Sequence, residues 1–358
     1  MTGRTQSAPR VTEEALARFL ARQPDLGGKI VTIELDTSRR ASGASSGTQI
    51  FDAVLQTPDE GEVRRPLVFR YDLGGTFFHQ YDLIPQFKIM RALEPKGIPV
   101  PKALWLDADG EIAGRPGLFM ARVDVPPPGG QPFAEGPIAT ATPELRGAMI
   151  LSSVRCFAGV HKIDAGDPSL AFLNRRGRGA NFIDRAIDWD TKELMRAIPA
   201  GFGGARVSYY DDVRAVMLRV RDHLLATAPL SRQAELVHGD TNLSNVMFRG
   251  SDVAALLDWE LCHFGLGEGD LGYCLAGMSH FLSALPPMAG VPSEDEIMSA
   301  YRAARGRTRD VEYGRLWGEW RLGVYQVMAY SRFTEDLRHI EEMYWARIKS
   351  ILGQFVRL

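Results

Sequence analysis

Three polar side chains within one short stretch could do chemistry together. The stretch runs from Leu236 to Phe248 and continues from Ala254 to Glu260. Asp240 precedes Asn245 by five residues, and Asp258 follows Asn245 by thirteen. Between the last two, the residue pattern predicts a tight hairpin. Val246–Arg249 is one strand, Gly250-Ser-Asp252 the turn and Val253–Leu257 the other strand. With Arg249 paired to Val253, antiparallel register sets Asn245 opposite Leu257, one residue from Asp258. An amide oxygen and a carboxylate can then converge on one point. Two such hard donors, with places left for water and phosphate oxygens, suit Mg²⁺. Asp240 enters from the preceding loop, where its carboxylate could meet a substrate hydroxyl. Singly, each residue has an ordinary explanation as a cap or a turn; at this spacing the three point to catalysis.

The elements needed to hold these groups follow from the rest of the chain. At 358 residues, 45% hydrophobic and 24% charged, it has the composition of an ordinary globular protein of one or two domains. A net charge of −2 gives no general attraction to nucleic acid or to a membrane surface, and neither is expected as a partner. Residues 1–10 are polar and read as a disordered tail rather than a secretory leader. No apolar run reaches the length of a membrane span. The three cysteines, Cys156, Cys262 and Cys274, fit no common zinc spacing and suggest free thiols in a reducing, cytoplasmic setting. Up to residue 123, helices at 11–22 and 81–93 accompany strands at 29–36, 48–56, 66–70, 103–106 and 117–123. Thr12 and Asp82 are placed to cap the two helices. Val125 to Pro132, rich in Pro and Gly, opens a mainly helical second lobe. There a long helix is expected over 143–163 and a polar helical segment over 174–232. After Asp258 come a Gly-rich loop over 264–269 and helices over 270–283, 293–305 and 310–352. The fold class is therefore α+β, with an N-terminal lobe at 11–123 and a C-terminal lobe at 124–358.

His238-Gly-Asp240, Asn245 and Leu257-Asp-Trp-Glu260 resemble the catalytic loop and metal-binding segment of aminoglycoside phosphotransferase and choline kinase-like enzymes, small-molecule relatives of the protein kinases. Tyr81-Asp-Leu83, Val100-Pro101 and Asp270-Leu271 are similar to the branch fused to acyl-CoA dehydrogenases. The resemblance implies a two-lobed kinase-like fold and transfer of the ATP γ-phosphate, with Mg²⁺, to a small-molecule hydroxyl. Asp240 would orient and deprotonate that hydroxyl, and Asn245 and Asp258 would hold the metal. The phosphate cradle would be Ser42, Gly43, Ala44, Ser45, Ser46, Gly47 and Thr48, whose small residues admit an anion to backbone N–H groups. Arg70 takes the place of the usual phosphate-contacting lysine. Gln86 takes that of its glutamate partner, so no charge faces the Arg70 cation there. Met120–Val123 takes the hinge position, which assigns adenine contacts to Ala121 and Val123. His238 is expected to be structural, and Asp270 either braces the catalytic loop or caps the next helix.

Other readings compete. Gly43-Ala-Ser-Ser-Gly47 matches a nucleophile elbow, but that motif needs a helix directly after it and the residues that follow are β-formers. The replacement of the glutamate by Gln86 is what a nucleotide-binding pseudokinase would show. For the acceptor, residues 174–234 hold eleven basic against seven acidic side chains, most concentrated at Arg175-Arg-Gly-Arg178. That balance suits a hydroxyacid or hydroxyacyl-CoA; an aminoglycoside or macrolide is the alternative. Glu260 is a second carboxylate beside the metal segment, and a homodimer is compatible with the sequence.

Overall fold

Five antiparallel strands carry the N-terminal half because their apolar residues alternate and turn residues separate them. The structure is a computed structural model, and it describes residues 11–37, 46–74, 78, 81–173, 181–198, 206–230, 232–306, 308–330 and 338–357. The chain divides into two compact units, Met1–Asp124 and Val125–Leu358.

In the first unit, α1 (Glu13–Leu20) precedes β1 (Lys29–Leu35), β2 (Ser46–Thr57) and β3 (Gly61–Asp72). Then come α2 (Leu83–Leu93), β4 (Ala103–Asp107) and β5 (Gly117–Ala121). The sheet order is β1-β2-β3-β5-β4. Both expected caps form: Thr12 accepts the Ala15 N–H at 3.2 Å and Asp82 accepts the Ile84 N–H at 2.9 Å. The inner sheet face packs on α1 through aromatic rings gathered about Phe119, with Phe69 at 4.7 Å and Phe19 at 5.0 Å between centroids. Because strand residues alternate, burying Phe69 turns Arg70 to the other face.

Two differences from the sequence-based expectation have clear causes. β3 begins at Gly61, not at Pro66, so the proline lies inside a strand. It is tolerated because its carbonyl, and hence its missing N–H, faces β5 just past the last ladder pair, Leu67 with Ala121. Ser46 and Gly47 join Thr48, already expected in the strand, as strand residues rather than loop. They pair with Asp72, Tyr71 and Arg70, because β2 needs that length to match β3. A strand from Ser46 also denies the nucleophile elbow its helix.

The second unit contains α3 (Gly136–Thr140), α4 (Pro143–Val160), α5 (Phe182–Ala197), α6 (Arg206–Ala226) and β6 (Glu235–Val237). The hairpin β7 (Val246–Arg249) and β8 (Asp252–Leu256) follows, then β9 (His263–Gly265), α7 (Gly267–Leu282) and α8 (Glu294–Arg305). α9 (Val311–Tyr330) and α10 (Arg338–Leu352) complete the chain. The Gly-rich stretch expected to be a loop is instead β9 paired with β6, followed directly by α7. The span 310–352 holds two helices rather than one.

α7 and α9 touch backbone to backbone. A Cβ on Gly318 would lie 2.1 Å from the Gly272 carbonyl carbon, and one on Gly272 would lie 2.1 Å from the Gly314 carbonyl oxygen. Glycine is therefore required on both sides of this contact. The close approach brings the first turns of α7 alongside the middle of α9, where Arg321 stands. Gly318→Ala is expected to force the helices apart and cost about 2–3 kcal/mol in denaturant unfolding, with phosphotransfer falling alongside.

Candidate active site

The chain leaves β6 into His238-Gly-Asp240, and the turn there is fixed from several directions. Gly239 has φ +85°, and a Cβ on it would lie 2.1 Å from the Leu261 carbonyl oxygen, so no other residue fits. The His238 ring is buried and neutral. Its Nδ1 accepts the Asp240 N–H at 3.2 Å, which leaves Nε2–H to donate to the Leu257 carbonyl at 2.8 Å. Burial pulls its pKa below the usual histidine value, consistent with that tautomer. The ring thus fastens the catalytic loop to the residue preceding Asp258, as expected of a structural histidine.

Asp270 resolves in favour of a brace. The N-cap position of α7 belongs to Leu266, and Asp270 lies one turn further in. Its carboxylate accepts the His238 N–H at 2.7 Å and the Gly239 N–H at 3.1 Å, and meets His161 Nε2 at 3.2 Å. Its carbonyl accepts the Thr241 hydroxyl at 2.6 Å. Burial disfavours the ionised form, but the His161 hydrogen bond and the nearby Arg321 outweigh it and hold the carboxyl down at about 2.

Asp240 is half-buried. Its Oδ2 accepts from Asn245 Nδ2 at 2.8 Å, and Oδ1 makes no hydrogen bond. Burial and the negative charge of Asp258 push its carboxyl up to about 6, against the pull of the Asn245 amide. Asn245 Nδ2 also donates to the Asp240 carbonyl at 3.1 Å, so Oδ1 is the amide atom left for a cation. The Asn245 carbonyl accepts the Leu257 N–H at 2.8 Å, the juxtaposition the sequence predicts. It is reached by a different register, however. Arg249 pairs with Asp252 rather than Val253, the turn tightens to two residues, and a bulge at Ala254 restores the pairing. Asp258 stands at φ 62°, ψ 61°, left-handed backbone that is uncommon outside glycine and that aspartate adopts more readily than most residues; Asp310 shares a positive φ. The donor set fits a divalent cation that brings its own oxygens. Among the described residues no group of three or more His, Cys, Asp or Glu could hold a metal unaided.

The remaining site residues lie in the first unit. Ser42, Gly43, Ala44 and Ser45 fall outside the described residues, as do Arg175, Arg176 and Arg178 of the second. Arg70 Nε donates to Ser46 Oγ at 2.7 Å. Gln86 is 2% exposed on α2, and its Nε2 makes no hydrogen bond. Ala121 ends β5 with its N–H on the Lys102 carbonyl at 2.9 Å, and Val123 follows two residues later.

Sequence reasoning gave no role to several residues that complete the loop's support. His161 Nδ1 meets the Tyr301 hydroxyl at 2.8 Å. Arg321, buried on α9, lies 3.3 Å from Asp190 and 4.0 Å from Asp270, and donates to the Tyr325 hydroxyl at 3.0 Å. Nothing in the local sequence distinguishes Arg321 from Arg315, the other arginine of α9, for such a task. Part of the basic charge over 174–234 is taken up in ion pairs. Lys192, Arg196, Arg214 and Arg221 pair with carboxylates nearby in the chain, and Arg232 with Glu235, Glu268 and Asp310.

The depressed Asp270 carboxyl makes a stability prediction. A group lower in the folded than in the unfolded state stabilises above its unfolded pKa, and loses that contribution as pH falls through the folded one. With the folded value held at about 2, below the ordinary aspartate value, this is on the order of 2 kcal/mol. The stability gap between the native protein and Asp270→Asn should therefore close by about that amount from pH 5 to pH 2. Denaturant titrations check this, and a gap that stays constant would refute it.

Three comparisons bear on this geometry. Residues 46–314, more than half of the chain, match the model of the phosphotransferase enzyme family, APH. The rat acyl-CoA dehydrogenase family member 11 is 30% identical over 234 residues, which is 62% of this chain and 27% of that protein. The chain thus matches about a quarter of such a relative's length. Among solved structures, a Ralstonia eutropha protein provisionally described as an aminoglycoside phosphotransferase aligns with TM-score 0.62 at 22% identity, over 89% of this chain and 88% of that one. Spectinomycin phosphotransferase, solved with ADP and spectinomycin, aligns at 0.54 with 12% identity, over 96% and 94%. The match covers the fold and the segment that holds Asp240, Asn245 and Asp258: the chain belongs to the APH phosphotransferase family and is a small-molecule phosphotransferase of kinase-like fold.

Proposed function

We propose that the chain transfers the γ-phosphate of ATP, bound with Mg²⁺, to a hydroxyl of a small hydroxyacid or hydroxyacyl-CoA. The observation that carries the transfer is the division of labour between Asp240 and Asn245. The amide N–H groups of Asn245 are spent on Asp240, which leaves Asn245 Oδ1 for the cation and Asp240 Oδ1 for the acceptor hydroxyl. Asp240 Oδ1 would accept the hydroxyl proton and aim the oxygen lone pair at phosphorus. Asn245 Oδ1 and the Asp258 carboxylate would hold Mg²⁺. When bound, the ion supplies neutralisation of phosphate charge. Arg70, steadied by Ser46, would contact the nucleotide phosphates bidentately. Residues 42–48 would cover them, with Gln86 behind, and Ala121 and Val123 would offer backbone groups to adenine.

The acceptor class rests on the curated relative. A segment like this one, carried in a protein named for acyl-CoA dehydrogenation, points to an acyl or hydroxyacyl substrate. Lys192, Arg196, Arg214, Arg221 and Arg232 being committed to ion pairs, an anion contact there would be made by others, such as Arg175, Arg176 and Arg178. The three free thiols fit a reducing, cytoplasmic setting.

The test is Mg²⁺-dependent phosphorylation across hydroxyacids, hydroxyacyl-CoAs, aminoglycosides, macrolides and choline. The acyl compounds should have the highest kcat/KM. A clear preference for an aminoglycoside or macrolide would replace the acceptor class, and ATP binding without turnover on any compound would favour a pseudokinase. Asp240→Asn should lower kcat by about 10²–10⁴-fold while leaving the KM for ATP near that of the native enzyme.

A further inference from the structure

Asp240 is flanked by two contacts with a single residue of α7. The Gly239 N–H before it meets the Asp270 carboxylate at 3.1 Å, and the Thr241 hydroxyl after it meets the Asp270 carbonyl at 2.6 Å. A helix carbonyl points along the axis toward the N–H four residues on. Thr241 therefore lies over the turn that runs from Asp270 to Cys274. Tyr273, three residues after Asp270, shares that face of the helix.

The Tyr273 ring is held in place. The Arg321 guanidinium stands 5.7 Å from its centroid, and the Tyr325 ring meets it edge-on at 6.0 Å. Arg321 and Tyr325 are committed to each other and to Asp190 of α5. The Tyr273 hydroxyl is not: among the described residues it has no hydrogen-bond partner. Tyr273 keeps 5% exposure, and its oxygen is open to solvent, unlike the sealed Nε1 of Trp317. Burial, and then the charge of Asp240, hold the phenol well above the usual tyrosine value, so near neutral pH it is a donor. Asp240 thus offers an acceptor and Tyr273 a donor from adjoining positions. A donor placed on the attacking oxygen would occupy the lone pair that must reach phosphorus, so the productive partner of Tyr273 is a different oxygen of the same molecule.

Resting on the phosphotransfer reading above, we propose that Tyr273 binds the acceptor, its hydroxyl donating to a second oxygen beside the hydroxyl that Asp240 deprotonates. The site then favours acceptors with two neighbouring oxygens over plain alcohols.

Steady-state kinetics of the native chain and Tyr273→Phe, which keeps the ring and removes only the phenol oxygen, test this. The substrates are the best acceptor of the panel above and its analogues in which single oxygens are replaced by hydrogen or methylene. The variant should raise the KM for the acceptor about three- to tenfold, with the KM for ATP and thermal unfolding near native. One analogue should raise the native KM by a similar factor and leave the variant nothing further to lose. An unchanged acceptor KM, a penalty that persists with every analogue, or a KM for ATP that rises in step would overturn the proposal. A best acceptor outside the hydroxyacyl class would replace that class and leave the Tyr273 comparison in force. Turnover of no compound would overturn both.

Discussion

The buried carboxylate of Asp270 is the point on which the catalytic segment hangs. The His238 and Gly239 N–H groups, in a loop that carries a left-handed glycine, find their acceptor outside the loop. Asp270 accepts both and is itself kept ionised by His161 and Arg321. Each of those supports is anchored in turn, His161 on Tyr301 and Arg321 on Asp190 and Tyr325. The contact of α7 with α9 through Gly272, Gly314 and Gly318 makes this possible, since it brings two helices close enough to share a charge pair.

From that anchor the rest of the site is assembled by backbone geometry. His238 bridges to the Leu257 carbonyl, and Leu257 N–H reaches back to the Asn245 carbonyl. Asp258 is therefore delivered to the same end of the hairpin as Asn245, and its left-handed backbone turns the chain into Trp259. The Trp259 ring packs 4.4 Å from that of His238 and donates Nε1–H to the Leu256 carbonyl at 3.0 Å. Asp240 and Asp258 are close enough to raise the pKa of Asp240, a repulsion that a divalent cation between donor and substrate oxygens would relieve.

The first unit supplies a different chemistry. Its sheet is organised by rings around Phe119, and Arg70 is placed by being the strand neighbour of one of them. Gln86 is buried as a neutral amide where the family resemblance leads one to expect a carboxylate.

Much of this was legible in the sequence because the signals are local. Thr12 and Asp82 announced their caps, alternation announced β1, and the spacing of Asn245 and Asp258 announced a hairpin between them. The hairpin juxtaposition was also legible, although its register was not. A bulge at Ala254 depends on how both strands pack, and it leaves no mark in a short apolar run. The conversion of 263–265 into a strand was set by β6, a partner distant in the chain, and α7 then starts at Gly267. Only the tertiary structure decided that Asp270 is a brace rather than a cap, and that His161, Asp190 and Arg321 serve it. Their chemistry lies in burial and mutual distance, and a sequence specifies neither until the helices are packed.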